Sequence, residues 1–283
     1  TPDMEMIKKL LSMEFRQQDI VTENEKLKTF WGYFDHFINQ SINGIRKNST
    51  GDSIAPSTIK TYNTLKNILR GFEVHTGKKI AFENVDLEFY TDLIEFMQNV
   101  KQLKKNTLSK HIRTLKTILR EALDNNYHSN IKFSSRRFAA PNELTTTMYL
   151  TENELQDIYK MDLTARPGLE RVRDLFIVGC YTGLRYSDLQ QVTQKNIITD
   201  HENPRDLYLQ ITQTKTRKLV LIPIHEMVVN VMEKYKWVLP KPISIQKSNS
   251  YLKEVCKMIP SLKKVESIEY TKGGQRVTQM LPK

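Results

Sequence analysis

The chain has 283 residues, and its 43 Lys and Arg residues against 32 Asp and Glu give it a net charge of +11. Such a positive balance favours a polyanionic partner or an anionic surface. No apolar run approaches the ~18 residues that a membrane-spanning helix needs, and the N-terminus lacks a signal-peptide pattern. We therefore expect a soluble, cytoplasmic protein. We expect no bound metal, because the Cys and His residues lack the spacing of a metal site.

Helices are predicted throughout the first half of the chain. Apolar residues recur at helical spacing at 27-38, at 57-72 and at 87-97. Pro56 marks the start of the second of these segments, and Gly77 follows its end. The stripe at 27-38 is rich in aromatic residues, and we interpret it as core rather than as a base-stacking platform, because aromatic side chains are strongly buried in proteins.

A fourth helix, predicted at 106-122, lies in the most basic stretch of the chain. From 101 to 137 there are ten basic residues, and Glu121 and Asp124 are the only acids. One face of this helix is apolar, and the other carries Lys110, Arg113, Thr117 and Arg120. A face with cations and no acid indicates contact with DNA phosphates. The alternative is a solvated surface helix, although such helices normally mix both signs of charge.

The helical pattern breaks between Ser129 and Thr147, where Ser, Thr, Pro and Asn are frequent. We therefore predict a helical domain at 23-140 and a second domain at 141-283, with a first helix or linker at 1-22. Both halves share the positive charge, as a clamp that closes on DNA from two sides would need.

The second domain opens with a capping box at 151-154. An apolar helix follows and is predicted to end at about Tyr181, with Gly183 able to take a positive φ past its end. Arg185 then lies in a tight turn before a short helix, for which Ser187 is a good N-cap. A planar guanidinium at this place can bind a phosphate in a bidentate way, or it can cap the carbonyls of the preceding helix.

Both strands and helices are predicted in the rest of the chain. The expected elements are strands at 207-212 and 219-223, helices at 226-237 and 245-258, and a hairpin at 265-281. Lys215 lies in the polar turn between the first two strands. The predicted fold class is therefore mainly α with a small antiparallel β-hairpin or sheet, an α+β arrangement.

The segment TGLRYSDL at 182-189, followed by Val192 and the pair Asn196-Ile197, resembles the first arginine box of the tyrosine recombinases, and most of all of integrases from bacterial mobile elements. The polar hairpin about 30 residues further on agrees with this resemblance. The resemblance implies a helical, SAM-like core-binding domain at 23-140, one jaw of a C-shaped clamp around the duplex. It implies a tyrosine recombinase catalytic domain at 141-283.

The resemblance also implies a chemistry. In this family a tyrosine attacks a DNA phosphodiester, forms a 3′-phosphotyrosyl link and frees a 5′-hydroxyl, and the steps reverse on a partner duplex without a metal or nucleotide cofactor. Arg185 would stabilise the charge that grows on the phosphate, and Lys215, the positional match to the family's hairpin lysine, would act as general acid. Asp188 is either a partner that orients Arg185 through a charge-assisted hydrogen bond or simply a favourable acid in the first turn of a helix.

The same resemblance places the helices at 57-72 and 106-122 near the major groove. The residues expected to contact DNA are Thr58, Lys60, Asn63, Asn67, Lys110, Arg113, Thr117, Arg120, Arg136 and Arg137. The expected partner is double-stranded DNA with an attachment or core site, and the full-length protein is expected to assemble with itself on that DNA.

One part of the family's pattern is missing from the sequence. A His-x-x-Arg box should follow the hairpin, but none of the six histidines has an arginine three places on. Tyr270 precedes the place where that box would lie, so it is a poor match to the nucleophile. We therefore expect the chain to stop before the second catalytic box and to bind DNA without cleaving it.

The expected function is site-specific DNA recombination or integration for a mobile genetic element, with this chain as a DNA-binding fragment of the enzyme. Two other classes of protein stay open. One is a non-catalytic DNA-binding regulator on a recombinase-like scaffold. The other is a helical RNA-binding or scaffold protein, for which single-stranded RNA should bind as well as duplex DNA or better.

Overall fold

The computed structural model describes residues 25–199, 206–241 and 243–282. The helix or linker predicted at 1-22 lies outside these residues. The described residues divide into two compact units, one formed by 25–146 with 269–278 and the other by 147–268 with 279–282, less the gaps at 200–205 and 242.

Helices make up most of the first unit. They are α1 (Phe30–Ile42), α2 (Pro56–Thr76), α3 (Leu87–Glu95) and α4 (Lys105–Asp124), with a π-helical segment at Phe96–Val100 and 3-10 turns at Phe82–Asn84 and Lys132–Ser134. Proline at the first position of α2 already has the φ of a helix, and Gly77 ends that helix with a φ of 70°. The helices predicted at 57-72 and 106-122 are thus present and run a few residues longer.

The core of the first unit lies between these helices. Its fully buried side chains include Phe34, Phe37, Leu65, Leu69, Phe82, Leu93, Met97, Leu108, Ile112, Phe133 and Phe138. The aromatic stripe at 27-38 belongs to this core, which confirms its interpretation as packing. Each large apolar side chain buried here contributes about 1.5–3 kcal/mol to stability.

The second unit combines helices with a small sheet. Its elements are α5 (Glu152–Lys160), α6 (Pro167–Thr182), α7 (Tyr186–Leu189), β1 (Ile197–Thr199), β2 (Leu207–Thr212), β3 (Leu219–Pro223), α8 (Glu226–Lys234) and α9 (Ile245–Met258). The predicted capping box starts α5: the Thr151 N–H donates to Glu154 Oε2 at 2.7 Å, and the Glu154 N–H donates to Thr151 Oγ1 at 3.4 Å. Two of the orphan N–H groups at this helix start are thereby satisfied.

A buried ion network ties α6 to its neighbours. Asp174 of α6 is 1% exposed, and it accepts hydrogen bonds from Lys234 Nζ at 2.7 Å and from Tyr235 Oη at 2.8 Å. Arg173 donates to the backbone carbonyls of Tyr159 and Met161, just where α5 ends. Burial and the charge of Asp174 raise the pKa of Tyr235 above its ordinary value. These bonds fix the helix whose C-terminal end leads to Arg185.

The strands of the second unit form one antiparallel sheet in the order β1-β2-β3. Thr212 pairs with Leu219, so the turn between β2 and β3 consists of residues 213–218. Leu209 and Ile211 of β2 are buried, which gives the alternation from which the strand was predicted. β1 was missed because three residues are too few to show such an alternation.

A separate hairpin, β4 (Val265–Lys272) with β5 (Gln275–Pro282), closes the described chain. Gly273 and Gly274 form its tip with φ of 57° and 74°. Two consecutive residues with positive φ are what a tight hairpin turn requires, and glycine adopts them without strain.

The predicted fold class, mainly α with small antiparallel sheets, is confirmed. Two predicted helix boundaries are wrong. Ser187 lies inside α7 rather than before it, because Arg185 is extended (φ −68°, ψ 153°) and its carbonyl already accepts the N–H groups of Asp188 and Leu189. The helix predicted to reach Trp237 ends at Lys234, because positive φ follows at Lys236 and Trp237. Every helix within the described ranges is too short or too polar to cross a bilayer.

Candidate phosphate site and nucleic-acid interface

Arg185 is held in the turn between α6 and α7. The Gly183 N–H donates to the carbonyl of Gly179 at 2.9 Å, and the φ of 64° at Gly183 turns the chain away from α6. The Arg185 side chain is 44% exposed, and its Nη1 donates to Gln213 Oε1 at 3.2 Å. Among the described residues it donates to no carbonyl of α6. The geometry therefore favours a guanidinium that is available to a ligand over one that caps the preceding helix.

Asp188 is the fully buried acid of this turn, with an exposure of 0%. Its Oδ1 accepts two hydrogen bonds from Thr214, from the backbone N–H at 2.9 Å and from Oγ1 at 2.7 Å. Its Oδ2 lies 3.7 Å from Arg185 Nη1, which is an ion pair but too long for a hydrogen bond. The expected charge-assisted hydrogen bond from Arg185 to Asp188 is thus absent, and Thr214 takes that place.

Opposing influences act on the ionisation of Asp188. Burial by itself would raise its pKa, but the two bonds from Thr214 and the nearby charge of Arg185 lower the pKa below its ordinary value. The carboxylate is therefore ionised at neutral pH, and it is a fixed negative charge between Arg185 and the turn that carries Lys215.

The 213–218 turn is joined to Arg185 and to the residue just past α7 through Gln213 and Thr214. Gln213 Oε1 accepts from Arg185 and also from Thr216 Oγ1 at 2.7 Å. Gln191 Nε2, just past α7, donates to Thr214 Oγ1 at 2.5 Å. Lys215 itself is exposed at the head of this turn. Residues nearly 30 positions apart in sequence thus form one cluster, which we call the arginine–lysine site: Arg185, Asp188, Gln191, Gln213, Thr214 and Lys215.

Sequence reasoning found three members of this cluster and missed the other three. Gln191, Gln213 and Thr214 carry no motif of their own, and each would pass for a polar surface residue. Only the adjacency of Thr214 to Lys215 hints at a role, since a residue beside a lysine with a predicted function is well placed to orient it.

The first unit presents an exposed basic face on α4, formed by Lys110, Arg113, Thr117 and Arg120. The opposite face of the helix is buried, as its apolar spacing predicted. Arg113 donates to Ser109 Oγ at 2.9 Å and Arg120 donates to Ser134 Oγ at 3.1 Å. Within the part of the chain that the structure describes, none of the three cations lies in a salt bridge. Their charge is therefore not neutralised by a neighbouring acid.

The other residues expected to contact DNA also lie on the surface of the first unit. Lys60, Asn63 and Asn67 are exposed on α2, whereas Thr58 is half-buried in its first turn. Arg136 and Arg137 are exposed after the 3-10 turn that ends at Ser134. The Asn63 amide donates to the carbonyl of Ile59 at 3.2 Å. The spacing of Lys60, Asn63 and Asn67 along α2 places them on one face.

Comparisons with known proteins agree with this description. The phage integrase SAM-like domain matches residues 29–138. Among solved structures, the XerH site-specific recombinase bound to difH substrate is 13% identical, with a TM-score of 0.52 over 74% of this chain and 64% of the XerH chain. The Tn1549 transposon integrase, solved with circular intermediate DNA, is 18% identical, with a TM-score of 0.49 over 74% of this chain and 67% of the integrase chain. No curated protein matches the chain in sequence.

The chain therefore has the fold of the tyrosine recombinases, which confirms the resemblance seen in the sequence. Residues 29–138 are similar to the phage integrase SAM-like domain. The chain spans less than two thirds of the length of the XerH chain.

Proposed function

We propose that this chain is the DNA-binding part of a site-specific tyrosine recombinase or integrase of a mobile genetic element. The observation that carries the proposal is the contact between Arg185 and the turn of Lys215, made by Gln213 at 3.2 Å. It joins the Arg185 guanidinium to the turn that carries Lys215, and we propose that the two cations meet a single phosphate group.

The proposed partner is double-stranded DNA. The basic face of α4 offers three cations that have no acidic partner among the described residues, and phosphates of a duplex are the ligands that such a row attracts. Lys60, Asn63 and Asn67 on α2 supply polar groups of the kind that reach base edges or phosphates. In the full-length protein we expect several copies to assemble on their site, in the cytoplasm.

In the proposed reaction Arg185 binds the non-bridging oxygens of the scissile phosphate. Charge grows on these oxygens as the phosphorus is attacked, and a preorganised guanidinium stabilises it. Lys215 donates a proton to the leaving 5′ oxygen as general acid. Asp188 keeps its charge throughout and offsets part of the positive charge between the two cations.

We expect these 283 residues to bind DNA without cleaving it. None of the six histidines has an arginine three places on, so the His-x-x-Arg box that the reaction needs is missing from this sequence. Arg185 and Lys215 would then form half of an active site, sufficient to hold a phosphate and insufficient to activate a nucleophile.

A nicked suicide duplex that carries the attachment site tests the proposal. We expect a salt-sensitive, non-covalent complex in a gel-shift assay and no covalent adduct after denaturation. A covalent adduct would show that the prediction of inactivity is wrong. Absence of binding to duplex DNA, or tighter binding to single-stranded RNA of equal length, would contradict the proposed function itself.

A further inference from the structure

The turn that carries Lys215 is anchored to a buried carboxylate as well as to its own strands. We propose that Thr214 is a positioning residue: it sets the place of Lys215 relative to Arg185 by binding Asp188. This inference rests on the proposed function, since it concerns how the two cations meet one phosphate.

The sheet by itself leaves the turn loosely fixed. The β2–β3 ladder ends at the pair Thr212 and Leu219, and residues 213–218 lie beyond it. Within the turn the Gln213 N–H donates to the carbonyl of Lys218, and the Arg217 N–H donates to that of Gln213, both at 2.9 Å. These bonds close the turn but do not connect it to Arg185. Its position there depends on side-chain bonds to α7 and the residues around it.

Thr214 makes most of those bonds. Its N–H and its Oγ1 both donate to Asp188 Oδ1, at 2.9 and 2.7 Å, and Oγ1 also accepts from Gln191 Nε2 at 2.5 Å. A hydroxyl can donate and accept at once, which valine of the same shape cannot do. Bonds to an ionised carboxylate are stronger than bonds between neutral groups, so Asp188 is a firm anchor.

The two carboxylate oxygens of Asp188 face different segments. Oδ1 holds the Lys215 turn through Thr214, and Oδ2 lies 3.7 Å from Arg185 Nη1. Oδ2 is buried and has no hydrogen-bond partner among the described residues. One fixed anion therefore faces both cation-bearing segments, and together with the bond from Arg185 to Gln213 it sets the position of the turn relative to Arg185.

A double-mutant cycle between Thr214 and Lys215 tests this role. The probe is a fluorescent 30-base-pair duplex, and its affinity for the full 283-residue chain is measured by anisotropy over a series of salt concentrations. Lys215→Ala should lower the slope of log affinity against log salt by about one, as the loss of one phosphate contact does. Thr214→Val should give the same change of slope and an affinity loss no larger than that of Lys215→Ala, because it acts only through the position of the lysine.

The coupling between the two substitutions is the decisive quantity. In the Thr214→Val background, Lys215→Ala should cost less than about twofold, because a misplaced lysine has no phosphate contact left to lose. Thr214→Ser keeps the hydroxyl and should restore wild-type affinity and slope. Thr212→Val, the same change two residues earlier on β2, should leave both unchanged and is the matched control.

The outcomes separate this inference from the proposed function. One outcome is that Lys215→Ala weakens binding while Thr214→Val leaves the affinity, the salt slope and the cost of Lys215→Ala as in the wild type. In that case Thr214 does not position the lysine, and the inference alone is wrong. If Arg185→Ala and Lys215→Ala both leave binding unchanged, the proposed phosphate site is wrong and the role of Thr214 is wrong with it. Thermal melting checks that each variant folds. Should Thr214→Val unfold, Thr214→Ala removes the same hydroxyl and must give the same coupling.

Discussion

The basic face of α4 and the arginine–lysine site are both proposed to bind phosphates, yet they are built in opposite ways. The basic face is a row of exposed side chains on one helix, spaced by the helical repeat and without acidic partners in the described structure. The arginine–lysine site gathers residues from α7 and the 213–218 turn around Asp188, which is fully buried. The basic face offers positive charge at loosely defined positions, whereas the arginine–lysine site holds its side chains in fixed positions.

The two surfaces therefore suit different tasks: one gives affinity for phosphates, and the other places a side chain accurately beside a reacting phosphate. Exposed cations gain affinity from the release of counterions and tolerate a range of positions. A group that stabilises a reacting phosphate must stand within a fraction of an ångström of its place, and its neighbours must hold it there. We therefore expect substitution of the buried Asp188 to affect local structure, and substitutions on the basic face to affect binding alone.

The largest effect is expected for Asp188→Ala. It leaves the Thr214 N–H and hydroxyl without their acceptor, so the free energy of unfolding of the second unit should fall by roughly 2–3 kcal/mol. Urea denaturation measures the loss of unfolding free energy, and hydrogen exchange of the native protein measures the loss of protection in the 213–218 turn. Asp188→Asn retains an acceptor oxygen and should cost less. A change below about 0.5 kcal/mol for Asp188→Ala would mean that the sheet alone holds the turn.

The next effect is expected on the basic face. Lys110→Ala combined with Arg113→Ala should reduce the salt slope of duplex binding by about two and leave the melting temperature unchanged, since both side chains are exposed. The matched control is Lys78→Ala with Lys132→Ala, because these exposed lysines already pair with acids of the same unit. An unchanged slope for the first pair would exclude α4 from the interface.

A smaller effect on stability is expected for Arg185→Ala. Its side chain is 44% exposed and makes one hydrogen bond within the described structure, to Gln213, so the unfolding free energy should change by less than about 0.5 kcal/mol. Duplex affinity should fall, and Arg185→Lys should restore it only in part because lysine cannot bind in a bidentate way. If Arg185→Ala unfolds the second unit, the arginine is a structural cap and its proposed role is wrong.

The smallest effect is the response to pH, which should differ between the two units. His111 on α4 is 5% exposed, and burial, together with the charge of Lys110, lowers its pKa below the ordinary 6.5. The unfolded chain therefore takes up this proton first as the pH falls, so the stability that His111 contributes is complete above about pH 6.5 and is lost below it.

The stability that Asp188 contributes to the second unit depends on pH in a different range. Its pKa is lowered from 3.8, so the stability it contributes is complete above that pH and is lost only as the pH falls further. Hydrogen exchange at about pH 5 and pH 7, corrected for the intrinsic rate, should show weaker protection near His111 at the lower pH and no such change at the 213–218 turn. Equal loss in both would contradict the assignment, and His111→Gln should remove the effect near that residue.

Much of the fold could be predicted from local spacing. The helices at 57-72 and 106-122, the capping box at 151-154 and the strands around the 213–218 turn all follow from periodicity and cap chemistry. The errors concern places where backbone conformation overrides the pattern, such as the positive φ at Lys236 and Trp237 that ends α8 early.

The sequence by itself determined the helices of the first unit, the basic face of α4 and the identity of Arg185 as a candidate phosphate ligand, because each depends on residues close together along the chain. The tertiary structure decided what surrounds that arginine. Asp188 binds Thr214 rather than Arg185, and Gln213 joins the arginine to the turn of Lys215. Such contacts form between segments nearly 30 residues apart, and their partners are chosen by the packing of α7 against the hairpin, which no local pattern encodes.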